Sequence, residues 1–147
     1  MNFTSQICTT KEQSERLLAL GLKKETADMM FIVLVKDFRG KDVPDAEKVY
    51  SLCTWYEEKS MGVGLEKREY IPAWSLHRLI EMMPQWIDTI EDSLKLTIDQ
   101  GKLVCYRGIS DEVQTFVFGH TSLYDSIIDT IEKLIKGGHF NKEYLEE

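Results

Sequence analysis

Apolar and polar residues alternate in the last third of the chain, where the pattern is clearest. Apolar side chains take every second position over 94–98, and a second apolar run covers 103–106. Alternation of this kind is typical of half-buried strands. The polar segment between the runs contains Gly101, which suits a two-residue loop with Asp99 and Lys102 facing each other at its ends. The pattern therefore predicts a β-hairpin.

A third strand and a long helix are predicted to follow the hairpin. The strand is expected over Thr115 to Gly119, after a polar turn. Ser122 has the residue type and position of a helix N-cap, and Asp125 places a carboxylate in the first turn. Gly137 marks the end of the helix. Apolar residues recur there at steps of three and four, which predicts one buried stripe: Leu123, Ile127, Ile128, Ile131, Leu134 and Ile135.

The first third of the chain predicts one short helix and one strand. Thr9 and Glu12 have the spacing of a capping box at the start of a helix that runs to Leu20. Gly21 suits the position just after the end of that helix. The apolar, β-branched run from Met29 to Val35 predicts a buried strand.

The segment 46–66 carries the weakest structural signal. Its apolar and aromatic residues are compatible with a short helix, which they would line: Val49, Tyr50, Leu52, Trp55 and Tyr56. A further strand is expected over 67–71.

A second short helix is predicted over 76–83. Ser75 is placed as its N-cap, and Trp74 can pack on Leu79 as a hydrophobic staple. Pro84 ends the helix because its ring cannot continue the backbone hydrogen bonding.

Together these elements predict an α+β fold, with a mainly antiparallel sheet of about four to five strands covered by about three helices. The length of 147 residues fits a single domain over 1–147 and is sufficient to bury a core.

Charge and hydropathy narrow the classes of function. The chain has 18 basic and 25 acidic residues and a formal net charge of −7, which repels nucleic-acid phosphates. No apolar stretch reaches the roughly 18 residues that a membrane-spanning helix needs, and the polar first residues lack the features of a secretory signal. We therefore expect a soluble cytoplasmic protein that binds neither nucleic acid nor membrane.

Residue types that often carry catalysis or bind metals are scattered along the chain. His77, His120 and His139 lie on three predicted elements, without a ligand spacing such as HxxxH. The three cysteines are far apart and form no CxxC pair. The glycines of 62–64 lack the lysine of a phosphate-binding loop. The sequence therefore predicts no catalytic residue, no metal and no cofactor.

Aromatic residues near helix ends and in the C-terminal tail are the candidates for an interaction surface. Trp55 and Trp86 lie among charged residues, and tryptophan is a frequent interface anchor. We expect Phe140 to dock on the sheet, whereas Tyr144 and Leu145 stay available to a partner. The candidate interaction surface thus consists of Trp55, Trp86, Tyr144 and Leu145.

Several segments resemble a group of uncharacterised small proteins from prophages and mobile elements of Bacteroides and related gut bacteria. The resemblance is carried by five segments: Thr10 to Ser14, Leu20-Gly21-Leu22, Glu25 to Met29, Ile71 to Leu76, and Leu123-Tyr124-Asp125. It implies a single-domain cytoplasmic protein without known activity, and it provides no catalytic residues.

These observations predict a non-enzymatic accessory or protein-interaction module of a phage or mobile element. Its partner is expected to be another protein, and a homo-oligomer is a further expectation. Two alternatives stay open: a small enzyme whose site assembles from scattered Asp, His and Cys residues, and an acidic mimic of nucleic acid. A closed pocket with converging side chains would favour the enzyme, whereas a basic DNA-binding partner would favour the mimic.

Overall fold

The structure of the protein is a computed structural model that describes residues 6–54, 64–90, 93–99, 103–108, 114–115 and 122–147. The described residues form three α-helices and seven strands in two antiparallel sheets, which confirms the predicted α+β class. The helices are α1 (Lys11–Ala19), α2 (Leu76–Met82) and α3 (Leu123–Lys136). The strands are β1 (Met29–Lys36), β2 (Tyr50–Thr54), β3 (Lys67–Ala73), β4 (Trp86–Asp88), β5 (Ser93–Asp99), β6 (Leu103–Gly108) and β7 (Gln114–Thr115).

The first sheet has the order β2-β1-β3, with Phe31 of the central strand opposite Leu52 and Ile71. The strand predicted over 29–35 is therefore confirmed as β1, although only Met30 and Val33 of it are buried. The strand expected over 67–71 is also confirmed.

The short helix considered for 49–56 is wrong, because Tyr50–Thr54 forms strand β2. Pairing with β1 provides hydrogen-bond partners for the backbone of this segment, and a local apolar pattern does not reveal such a distant neighbour. Trp55 and Tyr56 lie outside the described residues.

The second sheet has the order β4-β5-β6-β7, and the predicted hairpin is its central pair. Asp99 pairs with Leu103, so three residues join the strands and the predicted facing pair of Asp99 and Lys102 is wrong. Burial sets this register: Leu96 lies opposite Tyr106, whose side chain is fully buried. Strand β7 overlaps the predicted third strand at Thr115, and residues 116–119 of the prediction lie outside the described part of the chain.

Helix α1 begins one residue later than predicted. Thr10 is the N-cap, and it forms a capping box with Gln13 rather than the expected box of Thr9 and Glu12. Thr9 is fully buried instead, and its hydroxyl accepts a hydrogen bond from the backbone N–H of Trp74 at 3.0 Å. The hydroxyl of Thr9 is therefore occupied by a tertiary hydrogen bond and does not cap the helix.

The end of α1 follows the prediction. Gly21 adopts a φ of 91°, in the left-handed region that glycine tolerates best. The backbone N–H of Leu22 donates to the carbonyl of Leu17 at 3.2 Å, and that of Gly21 donates to the carbonyl of Leu18 at 2.9 Å. These two bonds form a Schellman motif that satisfies the last carbonyls of the helix.

Helix α2 starts as the sequence predicts. The hydroxyl of Ser75 accepts the backbone N–H of Arg78 at 3.2 Å, which confirms the N-cap. Trp74 and Leu79 are both fully buried in the same apolar cluster, as expected for a hydrophobic staple. The helix ends at Met82, one residue before the predicted end.

Helix α3 has the predicted bounds, and Ser122 occupies the N-cap position, although its side chain makes no capping hydrogen bond. Its Asp125 accepts a hydrogen bond from the side-chain amide of Gln13 at 2.7 Å, so the acidic first turn also ties α3 to α1. Four members of the predicted apolar stripe are fully buried, and the other two pack against the core.

The main core lies between the helices and the second sheet. It contains these large, fully buried side chains: Leu17, Leu22, Trp74, Leu79, Leu94, Tyr106, Ile127, Ile128, Ile131 and Leu134. Phe140 of the tail is buried in the same cluster, as expected for a residue that docks on the body of the protein. Helix α2 lies beside both the second sheet and the tail, and most of the surface features described below lie around this helix.

Candidate functional site

The N-terminal end of α2 is fixed by a carboxylate from the loop before β1. Asp28 accepts the backbone N–H of Ser75 at 2.8 Å through one oxygen and the hydroxyl of Ser75 at 2.5 Å through the other. The same hydroxyl accepts the N–H of Arg78. The hydroxyl of Ser75 therefore both donates and accepts, and these hydrogen bonds fix the start of α2.

Arg78 connects α2 to two other parts of the chain. Its Nε donates to the carbonyl of Thr26 at 2.8 Å, and a terminal nitrogen donates to Glu81 at 2.7 Å. Its guanidinium carbon also lies 5.7 Å from the centre of the Tyr144 ring, within the range of a cation–π contact. One side chain thus holds the loop before β1, the helix and the tail together.

Three surface cavities meet at Glu81, which lines each of them, and we call the region that they form the α2 surface. The first has a volume of about 380 Å³ and is lined by polar groups that include Asp28, His77 and Arg78. The second, of about 300 Å³, lies between the end of α2 and the tail and is lined by His139 and Tyr144 among others. The two described histidines therefore lie in different cavities.

The third cavity is larger, about 520 Å³, and more apolar. Its apolar lining comes from both α2 and β5: Ile80, Met83, Leu96 and Ile98. The core-facing side chains of β5 become more exposed along the strand, since Leu94 is buried, Leu96 is half-buried and Ile98 is 42% exposed. The result is an apolar groove that opens to solvent at the far end of β5.

Trp86 lies on β4, directly after Gln85, which lines this groove. Its side chain is 47% exposed, which agrees with the expectation of a partly exposed tryptophan. It pairs with Lys95 across the two strands, and the Lys95 ammonium lies 5.5 Å from the ring centre. Lys95 also lines the groove, so the tryptophan and the groove share a neighbour.

The other three predicted surface residues have different positions. Tyr144 and Leu145 are half-buried and pack against the chain's own core, so only part of each side chain is open to a partner. Leu145 forms an isolated bridge with Leu22, and the N–H of Glu146 donates to the carbonyl of Gly21 at 2.8 Å. Trp55 lies outside the described residues.

The sequence did not identify Asp28, Arg78 or Glu81 as candidate functional residues. The bond between Asp28 and Ser75 joins residues 47 positions apart, and no local pattern marks such a pair. The i,i+3 spacing of Arg78 and Glu81 was a usable signal for an ion pair, although not for a cavity.

The described thiols give little support to nucleophilic chemistry. Cys8 is buried, and burial together with the nearby charge of Asp28 raises its pKa above the ordinary value. A raised pKa lowers the fraction of thiolate, the reactive form. Cys53 is half-buried, and the side chain of Cys105 lies outside the described part. Within the described residues, no three His, Cys, Asp or Glu side chains are grouped so that they could hold a metal ion.

The acidic side chains of α3 are engaged by α1. Arg16 contacts Asp129 and Glu132, each at 2.5 Å. Lys136 also donates to Glu132 at 2.6 Å, and these two partners, Lys136 foremost, lower the pKa of that carboxyl. The acidic face of α3 is therefore neutralised within the fold rather than presented as a row of free charges.

Comparison of the chain with known protein families, with characterised proteins and with solved structures finds no match. In the part of the chain that the structure describes, no helix has the length and apolar character needed to cross a membrane.

Proposed function

We propose that the protein is a non-enzymatic interaction module that binds another protein through the α2 surface. The observation that carries this proposal is the apolar groove of about 520 Å³ between α2 and β5, with Ile98 exposed at its open end. Exposed apolar side chains around a concave surface are typical of sites that bind a partner's apolar anchor.

The charges around the groove suggest the chemistry of the partner. Glu81 is common to the groove and to the polar cavity, where it is paired with Arg78 at 2.7 Å, and Lys95 places a cation in the lining of the groove. A protein segment that places an apolar side chain in the groove and polar side chains at its rim fits this arrangement best. The net charge of −7 also favours encounter with a basic surface.

The two alternative functions have weaker support. The small enzyme rests on the cavity shared by His77 and Asp28, but Asp28 is already bonded twice to Ser75. The acidic mimic needs a row of unpaired carboxylates, whereas Asp129 and Glu132 are bound by Arg16. The interaction module requires neither feature.

The test compares two isoleucine variants. Ile98→Asp places a charge in the groove, whereas Ile90→Asp places the same charge on a fully exposed side chain that does not line it. Both proteins are used, together with the unmodified chain, for quantitative affinity capture from the organism that encodes the chain. The proposal expects a specific partner that binds the unmodified chain and the Ile90→Asp variant but is lost by Ile98→Asp.

Retention of that partner by Ile98→Asp would place the binding surface elsewhere. Loss by both variants would indicate a general effect on the surface, and circular dichroism checks that each variant folds. The His77→Ala variant should bind the partner as strongly as the unmodified chain does. That result, together with no detectable hydrolytic activity of the unmodified chain, would argue further against the enzyme.

We also propose that the module is encoded by a phage or mobile element and acts in the cytoplasm. The segment resemblance supports the origin, and Cys8, a buried thiol outside any disulfide, is consistent with a reducing compartment. The genes that flank its own gene, and fractionation of cells that express it, test these two points.

A further inference from the structure

The C-terminal tail is less well packed after Phe140. Phe140 is buried in the core, whereas every residue of 141–147 is half-buried or exposed. Two cavities border this part of the tail: one of about 590 Å³ that is lined by Leu145 and Glu146, and the one of about 300 Å³ that is lined by Tyr144. Residues 142–147, which we call the tail segment, therefore have few buried contacts, as is typical of parts of a protein that open locally.

Backbone hydrogen bonds attach the tail segment to the chain that follows α1. The N–H of Lys23 donates to the carbonyl of Tyr144 at 2.9 Å. The N–H of Glu146 donates to the carbonyl of Gly21 at 2.8 Å. Bonds of this kind depend on the backbone and not on the identity of the side chains, so a segment of another protein can form them in the same way.

Side-chain contacts add selectivity to this attachment. The Tyr144 ring lies against the guanidinium of Arg78, and Leu145 forms its bridge with Leu22, whose side chain is 1% exposed. The tail segment contains three glutamates and one lysine, so it brings a net negative charge to the neighbourhood of the Lys23 ammonium. An aromatic residue, an aliphatic residue and carboxylates therefore match this surface.

The surface beneath the tail segment is fixed by contacts that do not involve the tail. The N–H of Leu22 donates to the carbonyl of Leu17, within the motif that ends α1. The hydroxyl of Thr26 donates to the carbonyl of Lys23 at 2.6 Å, and Arg78 donates to the carbonyl of Thr26 at 2.8 Å. Because these bonds persist without the tail, the surface keeps its shape when the tail segment detaches. A preformed surface binds a segment with a smaller loss of conformational freedom.

We propose that residues 21–23 and Arg78 form a docking site for a segment of another protein, which we call the tail site, and that the tail segment competes for it. The partner segment has the chemistry of the tail segment: an aromatic residue that lies against Arg78, an aliphatic residue that lies opposite Leu22, and carboxylates next to them. The tail segment must detach before the partner binds, so it lowers the apparent affinity of the tail site. A tethered competitor acts at an effective concentration on the order of millimolar.

A synthetic peptide with the sequence of residues 142–147, labelled with a fluorophore, is the probe. Fluorescence anisotropy measures its binding to the full chain and to the double variant Tyr144→Ala with Leu145→Ala. This variant weakens the competitor but leaves the tail site unchanged, so the peptide should bind it at least about threefold more tightly than it binds the unmodified chain. Phe38→Ala removes an exposed aromatic side chain that lines neither cavity beside the tail, and it should bind the peptide as the unmodified chain does.

A peptide of the same composition in scrambled order controls for non-specific attraction between charges. The proposal expects it to bind at least about tenfold more weakly, because the aromatic and aliphatic residues then meet the wrong parts of the site. Equal binding of the two peptides would overturn the proposal. Equal affinity of the native-order peptide for the unmodified chain and the double variant, or no binding to either at millimolar concentration, would overturn it as well.

Hydrogen exchange of the unmodified chain tests the detachment of the tail segment without a peptide. The amides of Lys23 and Glu146, which are bonded across the tail site, should exchange at least about tenfold faster than the amide of Ile131 in α3. Exchange at the rate of Ile131 would mean that the tail segment is released only by global unfolding, which would contradict the proposal. Ile98→Asp, in the groove between α2 and β5, should leave peptide binding unchanged, so this proposal and the proposed function can fail separately.

Discussion

The indole nitrogen of Trp74 donates a hydrogen bond to the hydroxyl of Thr26 at 3.0 Å, and both side chains are buried. The same hydroxyl donates to the carbonyl of Lys23 at 2.6 Å. This short chain of hydrogen bonds fixes the largest side chain of the core relative to the turn that precedes β1. Substitutions that break these hydrogen bonds should therefore destabilise the fold.

Thr26→Val should reduce the free energy of unfolding by about 1–3 kcal/mol. The substitution keeps the shape of the side chain but leaves the buried indole N–H without its acceptor. Thr26→Ser retains the hydroxyl and should lose less. Urea denaturation of the two variants measures the difference, and a larger loss for Thr26→Ser than for Thr26→Val would mean that the threonine methyl group, rather than the hydroxyl, stabilises the fold.

Ile131→Ala should reduce the free energy of unfolding by about 2–5 kcal/mol, because it removes a fully buried side chain from the middle of α3 and leaves a cavity. Lys133→Ala, at an exposed position of the same helix, should stay within about 0.5 kcal/mol. Thermal and chemical denaturation provide the comparison. Similar small changes at both positions would contradict the packing of α3 described above.

The stability of the protein should depend on Glu132 at acidic pH. Hydrogen bonds from Lys136 and Arg16 lower the pKa of this carboxyl in the folded state. Its contribution is therefore fully present above the ordinary glutamate pKa of about 4.3 and is lost as the pH falls through the lowered folded value.

Glu132→Gln should consequently be less stable than the unmodified chain at neutral pH and should lose less stability as the pH decreases into that range. Glu146→Gln, in the exposed tail, is the control. The measurement is urea denaturation at a series of pH values. Parallel pH profiles for the unmodified chain and Glu132→Gln would contradict the prediction.

Ending the chain after Asn141 should lower the melting temperature by several degrees. The deletion removes the carbonyl of Tyr144, which accepts the N–H of Lys23 at 2.9 Å, and the bridge between Leu145 and Leu22. Ending it after Glu146 keeps these contacts and should have little effect. Calorimetry of the two truncated chains tests the prediction, and equal melting temperatures would show that residues 142–146 contribute nothing to the stability of the fold.

The amino-acid sequence alone determined the features that depend on neighbouring residues. The apolar stripe of α3, the N-cap at Ser75 and the glycine after α1 were all predicted correctly. In each case the interacting groups lie within a few residues of one another, so spacing and residue type are sufficient to predict the local structure.

Tertiary structure decided the features that depend on distant partners. Thr9 did not cap α1 because Trp74, 65 residues away, binds its hydroxyl. Residues 50–54 became a strand because β1 supplies their hydrogen-bond partners, and the predicted strands were divided between two sheets. The α2 surface has the same origin, since its groove exists only where β5 extends past α2. Such contacts arise when whole helices and strands pack together. The local pattern of apolar and polar residues does not indicate which distant elements will be neighbours.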